Sequence, residues 1–115
     1  MALQTALRPI ARKIAEAVRT FATSQGVARE DYVLVGAWDQ RTEHIRLLLG
    51  INHEVDRFQW HAGIKQALRE AFPDHAWILT TINLVVWPVR DLDDVYYNFP
   101  LAEDEDDLTD LLERS

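Results

Sequence analysis

The chain contains no cysteine among its 115 residues. Disulfide bonds, thiolate metal sites and cysteine nucleophiles are therefore excluded together. A chain without disulfides is in keeping with a reducing, cytoplasmic compartment. Because 48% of the residues are hydrophobic and 27% are charged, the chain can close one packed core without covalent crosslinks.

Glycine, serine and histidine are few, and their spacing matches none of the common catalytic or phosphate-binding motifs. The four glycines are isolated from one another, so the chain has neither a G-x-G-x-x-G motif nor a phosphate-binding loop. The two serines, Ser24 and Ser115, lie outside any G-x-S-x-G motif. No HxxxH or HExxH spacing occurs either. We therefore predict no catalytic residue and no cofactor, and an enzyme is the less favoured class of function.

Long hydrophobic runs are absent as well. No apolar run approaches the roughly 20 residues that a membrane-spanning helix requires. Residues 1–21 lack the uninterrupted apolar centre of a signal peptide. We expect a cytoplasmic protein with no membrane partner.

Basic residues are scarce at the C-terminal end of the chain. Residues 91–115 contain ten Asp and Glu but one Arg, whereas residues 1–90 contain nine acidic and eleven basic residues. The net charge of −7 therefore belongs to the C-terminal end, and the remainder is mildly basic. We predict a single α+β domain over residues 1–100 and an acidic, flexible tail over residues 101–115, because like charges repel one another.

Apolar spacing predicts the elements in the order α-β-β-α-β. Residues 3–21 and 53–72 have the three- and four-residue spacing of amphipathic helices, whereas residues 31–39, 43–51 and 76–89 are β-rich. The second and third strands flank a helix and should be parallel in one sheet of about three strands, with two helices on one face. Residues 91–99 predict a short third helix capped by Asp91.

The hairpin register determines which side chains share a face of the sheet. Pairing Trp38 with His44 places six apolar residues under the helices: Val33, Val35, Ala37, Ile45, Leu47 and Leu49. The opposite face, with the outer side of the third strand, then forms an aromatic surface: Tyr32, Leu34, Trp38, His44, Arg46, Leu48, Trp77, Leu79 and Trp87. Exposed apolar surfaces mark interaction sites. This surface predicts a homodimer or a protein partner, unless residues 91–99 fold back and cover it.

Two other groups of residues are a candidate metal site and a candidate nucleic-acid-binding site. Asp39, Glu43 and His44 at the hairpin tip are candidate ligands of a divalent cation in a metal-dependent enzyme, although turn chemistry also explains these residue types. The first helix carries a basic stripe that is a candidate for nucleic-acid binding, although a solvated helix face explains it too: Arg8, Arg12, Lys13 and Arg19.

The chain resembles two known families in its element order, size and composition. The α-β-β-α-β order resembles small KH-type RNA-binding folds, which implies an RNA-associated factor whose acidic tail modulates access; the GXXG loop of those folds is absent here. The size, acidity and helix-flanked sheet are similar to small dimeric bacterial secretion chaperones, which hold a partner protein. The favoured function is a non-enzymatic protein-interaction or regulatory module that self-associates, with the KH-like factor and the hairpin-tip enzyme as alternatives.

Overall fold

The computed structural model describes residues 2–113, except for the side chains of residues 2–6, 76 and 77. Five α-helices and four strands occur within that part of the chain. Their bounds are α1 Ala2–Ser24, β1 Tyr32–Asp39, β2 His44–Ile51, α2 Arg57–Ala71, α3 Ala76–Thr81, β3 Ile82–Pro88, α4 Asp93–Tyr97, β4 Glu105–Asp107 and α5 Thr109–Glu113. The protein is α+β, as the sequence predicted.

Helix α1 ends at Ser24, two residues before Gly26. Gly26 has a φ of +76°, a left-handed conformation that favours glycine. The Gly26 amide donates to the Thr23 carbonyl over 3.0 Å, and the Val27 amide donates to the Ala22 carbonyl over 2.9 Å. This pair of bonds is a Schellman motif, which satisfies carbonyls that the helix end leaves free. At the other end, α1 begins before Pro9, which therefore lies inside the helix.

The hairpin register differs by one residue from the expected one. His44 pairs with Asp39, and Trp38 pairs with Ile45. The turn sets this register: the Asp39 carboxylate accepts the amides of Arg41 and Thr42 over 3.0 and 3.3 Å, and Glu43 has a φ of 56°. Side chains along a strand point alternately to the two faces of the sheet. The one-residue shift in pairing therefore places each β1 side chain on the opposite face from the expected one, relative to β2.

Helix α2 begins later than its apolar spacing indicated. Asp56 is the N-cap, and its Oδ1 accepts the amides of Phe58 and Gln59 over 3.0 and 3.2 Å. An aspartate at this position satisfies amides that have no partner within the helix. The helix ends at Ala71, shortly before Pro73.

The predicted third strand is a helix followed by a strand. Residues 76–81 form α3, and β3 begins at Ile82. Ile78 is buried in the core and the Thr81 hydroxyl donates to its carbonyl over 2.7 Å. Strand propensity depends on context, and here the packing of Ile78 outweighs the β-rich composition.

The sheet has four strands in the order β3-β2-β1-β4. Strands β2 and β3 are parallel, as predicted, and β1 is antiparallel to both of its neighbours. The fourth strand, β4, comes from the segment expected to be a flexible tail. Leu108, which directly follows β4, and Leu112 of α5 are buried in the main core, so residues 105–113 are packed on the sheet.

One face of the sheet carries the main core. Helix α2 contacts β3, α5 contacts β1, and α1 contacts both of these helices. The strand residues under the helices are Tyr32, Leu34, Ile45, Leu47, Leu49, Ile51, Ile82, Leu84 and Val86. None of the helices within residues 2–113 is long and apolar enough to cross a bilayer.

Candidate functional site

The residues of the predicted aromatic surface do not share one face. Tyr32 and Leu34 are buried in the main core, and Trp38 packs against it. On the opposite face lie His44, Arg46, Leu48 and Trp87. The expected surface was wrong for β1, because it depended on the register that the turn shifts by one residue.

Leu79 and Trp77 belong to α3 and not to a strand. Leu79 packs partly against the main core. The side chain of Trp77 lies outside the described part of the chain.

Residues 91–99 cover the centre of the second face, which was one of the two expected outcomes. Val95 and Phe99 are buried there together with Val35, Ala37 and Leu48. A Cβ at Gly50 would lie 2.1 Å from a methyl carbon of Val95, so α4 sits directly on the backbone of β2. Asp91 contributes to this placement because its Oδ1 accepts the Asp93 amide over 3.0 Å at the start of α4.

Arg46 holds the acidic C-terminal segment against the sheet. Its guanidinium donates to both carboxylate oxygens of Glu105 over 2.8 and 2.9 Å, and to the Pro100 carbonyl over 2.9 Å. It also stacks over the Phe99 ring, 4.0 Å from the ring centre. The Arg46 hydrogen bonds lower the pKa of the Glu105 carboxyl, whereas partial burial raises it less. Bidentate pairs of this kind are among the stronger polar contacts in proteins.

Further contacts close the β1 edge of the sheet. The Gly36 carbonyl accepts the Leu108 amide over 2.8 Å, and the Gly36 amide donates to the Thr109 hydroxyl over 3.3 Å. The Gln40 side chain donates to Asp106 over 2.7 Å. Buried leucines and polar contacts thus fix an acidic strand on β1.

The opposite edge of the sheet is formed by β3. Within residues 2–113, no strand pairs with the outer side of β3. Its sequence, INLVVWP, contains no charged residue, and the Val85 side chain is 58% exposed on the second face. Native edge strands are commonly protected by charges, by proline or by a covering element. Here Pro88 protects the end of the strand only.

The outward backbone groups of β3 can be assigned from its hydrogen bonds to β2. The Val89 amide donates to the Ile51 carbonyl over 2.8 Å, so Val89 faces β2. Backbone groups alternate along a strand, so those of Val85 and Trp87 also face β2, and those of Leu84 and Val86 face outward. Pro88 likewise faces outward, where its missing amide costs no ladder bond.

A basic groove lies beside the start of this open edge. Its volume is about 610 Å³, and it is lined by His61, Ala62, Lys65, Arg69, Leu79 and Thr80. The Lys65 amine donates to the carbonyls of Ile82 and Leu79 over 2.9 and 3.4 Å. Burial, and to a smaller extent the nearby Arg69, lowers the pKa of the Lys65 amine. Lys65 of α2 thus contacts the start of β3, and Arg69 lies in the same groove.

The hairpin-tip residues do not converge as ligands. Desolvation raises the pKa of the Asp39 carboxyl, but the hydrogen bonds from Thr42 and Arg41 together outweigh it and lower that pKa. His44 Nδ1 lies 2.7 Å from the Thr42 carbonyl. Glu43 is exposed in the turn. Within the described residues, no group of three or more His, Cys, Asp or Glu could hold a metal ion.

The basic residues of α1 are all exposed but are divided between two sides of the helix. Arg8, Arg12 and Arg19 share one helical face. Lys13 projects toward α2, where its amine lies 5.4 Å from the centre of the Phe72 ring. The four candidates therefore do not form one continuous stripe.

The groove and the open edge were not predicted from the sequence. Arg57, His61, Lys65 and Arg69 follow one another at four-residue spacing, which places them along one side of a helix. The uncharged run over residues 82–88 was also visible. The combination of the basic stripe of α2 with the open edge of β3 could not be predicted, because it depends on α2 lying beside β3.

The protein belongs to the α+β class. Its four-stranded mixed sheet is covered by helices on one face and partly by α4 on the other. Comparison with protein families, curated proteins and solved structures gave no match to this chain.

Proposed function

We propose that this protein is a non-enzymatic protein-interaction module that binds a polypeptide partner along the outer edge of β3. The observation that carries the proposal is the open, uncharged edge itself, with outward backbone groups at Leu84 and Val86 and an exposed Val85 beside them. A peptide that adds a strand to such an edge gains main-chain hydrogen bonds and contacts for alternate side chains.

Self-association is one form of this binding, and it remains a prediction. Its surface is now the β3 edge and no longer the aromatic surface, since Tyr32 and Leu34 are buried. Two copies that pair through β3 would extend the sheet across a two-fold axis, which is the commonest symmetry of homodimers.

A photo-crosslinking residue at position 83 tests the proposal in cells that express the full chain. Asn83 is exposed on the same strand as Val85, so we expect an adduct of discrete mass. An adduct of twice the 13.3 kDa chain mass would identify a second copy as the partner. Val85→Lys in the same chain should abolish the adduct, because a charge on an edge strand opposes pairing.

The matched control places the same crosslinker at position 97. Tyr97 is 83% exposed, but it lies on α4, away from the edge. Equal adducts from positions 83 and 97, or an adduct that persists with Val85→Lys, would contradict the proposal.

A further inference from the structure

We propose that the open edge of β3, together with the groove between α2 and α3 beside its start, binds an extended segment in which acidic and apolar residues alternate. This inference rests on the proposed function and specifies the chemistry of the partner.

The extended conformation follows from the backbone of β3. The outward amides and carbonyls of Leu84 and Val86 are arranged for a strand and not for a helix. Pro88 has no amide to donate, and the Lys65 amine already occupies the Ile82 carbonyl at the other end. The binding register is therefore short, about five residues or about 17 Å of strand.

The alternation follows from the two environments on either side of the sheet. In β3 itself, Leu84 and Val86 point toward the helices, whereas Val85 points to the second face. An added strand has the same alternation. Every second side chain would lie on the side of α2, and the others would lie beside the exposed Val85.

The acidic chemistry follows from the charges on the side of α2. Three groove residues, His61, Lys65 and Arg69, have nitrogen-bearing side chains, and the described lining residues include no acid. Carboxylates of the added strand would accept hydrogen bonds from Lys65 and Arg69. On the other side, apolar side chains would cover Val85 and remove apolar surface from water.

An acidic segment already occupies the opposite edge of this sheet. There an acidic strand of the chain itself, β4, pairs with β1 and places Glu105 against Arg46. The β3 edge has comparable elements, open backbone groups and cations beside them, with no strand of residues 2–113 on it.

Fluorescence anisotropy with a labelled, end-blocked peptide, Val-Glu-Val-Glu-Val-Glu-Val, tests the inference on the full chain. We expect binding that weakens between about 50 and about 300 mM salt, because exposed charges are screened. The peptide with Lys in place of Glu should not bind. Amide exchange at Leu84 and Val86 should slow when the Glu peptide is bound, which locates the peptide on β3.

Arg69→Glu should weaken binding of the Glu peptide by about fivefold or more. Arg12→Glu is the matched control, because it makes the same change of charge on the exposed side of α1 and should leave binding unchanged. Thermal unfolding of both variants checks that the fold is retained. Equal effects of the two substitutions, or tighter binding of the Lys peptide, would overturn the acidic specificity.

The two proposals fail in different ways. If the Lys peptide binds, and Val85→Lys abolishes that binding, the edge function stands and the acidic chemistry is wrong. If no peptide binds while the crosslink at position 83 forms, the alternating acidic segment is again overturned alone. A single-stranded RNA oligonucleotide titrated in parallel covers the nucleic-acid alternative: Arg69-dependent RNA binding without peptide binding would overturn the inference in favour of RNA.

Discussion

The two edges of the sheet differ in how they are terminated. The β1 edge is closed by β4, whose neighbours Leu108 and Leu112 are buried in the main core. The β3 edge carries no strand within residues 2–113, and its Val85 is exposed. Both edges lie next to cationic side chains, Arg46 on one side and Lys65 with Arg69 on the other.

This difference indicates what is needed to close an edge in this protein. The paired part of β4 is three residues long, which is short for a stable strand pair. Two leucines and a bidentate ion pair complete the attachment. The partner that we propose for the β3 edge would therefore have to supply more than backbone hydrogen bonds, and alternating apolar and acidic side chains would meet that need.

The largest effect on the closed edge is expected from Leu108→Ala. This change leaves a cavity in the main core, and we expect a loss of about 2–5 kcal/mol in the free energy of unfolding. Urea unfolding measures it. The matched control is Leu101→Ala, because Leu101 is 46% exposed and should lose little. Equal losses in the two variants would contradict the anchoring of β4 by Leu108.

The cover of the second face is tested by Gly50→Ala. The new methyl group would overlap Val95, and we expect a loss of about 1–3 kcal/mol because α4 must shift. Combining it with Val95→Ala should recover part of that loss, since the smaller side chain reduces the overlap. A double-mutant cycle from urea unfolding gives the coupling energy. Strict additivity of the two changes would contradict the close packing of α4 on β2.

The ion pair at the closed edge is tested by Glu105→Gln. We expect a loss of about 1–2 kcal/mol at neutral pH, because charged hydrogen bonds from Arg46 are replaced by neutral ones. The folded pKa of Glu105 lies below its ordinary value of 4.5. The contribution of the pair is therefore complete above about pH 4.5 and is lost as the pH falls through the folded pKa.

Urea unfolding of the wild type and Glu105→Gln between neutral and acidic pH measures this dependence. The difference between the two proteins should shrink as the solution becomes acidic. A difference that grows with acidity would contradict the direction of the pKa shift.

The smallest effect on stability is expected at the open edge. Val85→Lys should change the free energy of unfolding by about 0.5 kcal/mol or less, because the side chain is largely exposed. Amide exchange in the wild type should be at least about tenfold faster at Leu84 and Val86 than at Val85 and Trp87, whose backbone groups face β2. Protection at all four amides of the monomer would show that β3 is covered on both sides.

Much of the secondary structure could be predicted from local pattern. The helix indicated by the apolar spacing of α1 and the parallel pairing of β2 with β3 were both predicted and found. The β-rich composition of residues 76–81 was misleading, since they form α3. For the site, the residues of the α2 stripe were visible in sequence, but their position beside an open strand was not.

The sequence by itself determined which residues are apolar and at what period, and therefore the class of fold and most of its elements. The register became clear only in the structure, because the hydrogen bonds of the turn at Asp39 shift the pairing by one residue and exchange the faces of β1. The tertiary structure also decided that the acidic segment packs on the sheet, since Glu105 finds Arg46 at a separation of 59 residues. Such contacts depend on which elements become neighbours, and local spacing does not contain that information.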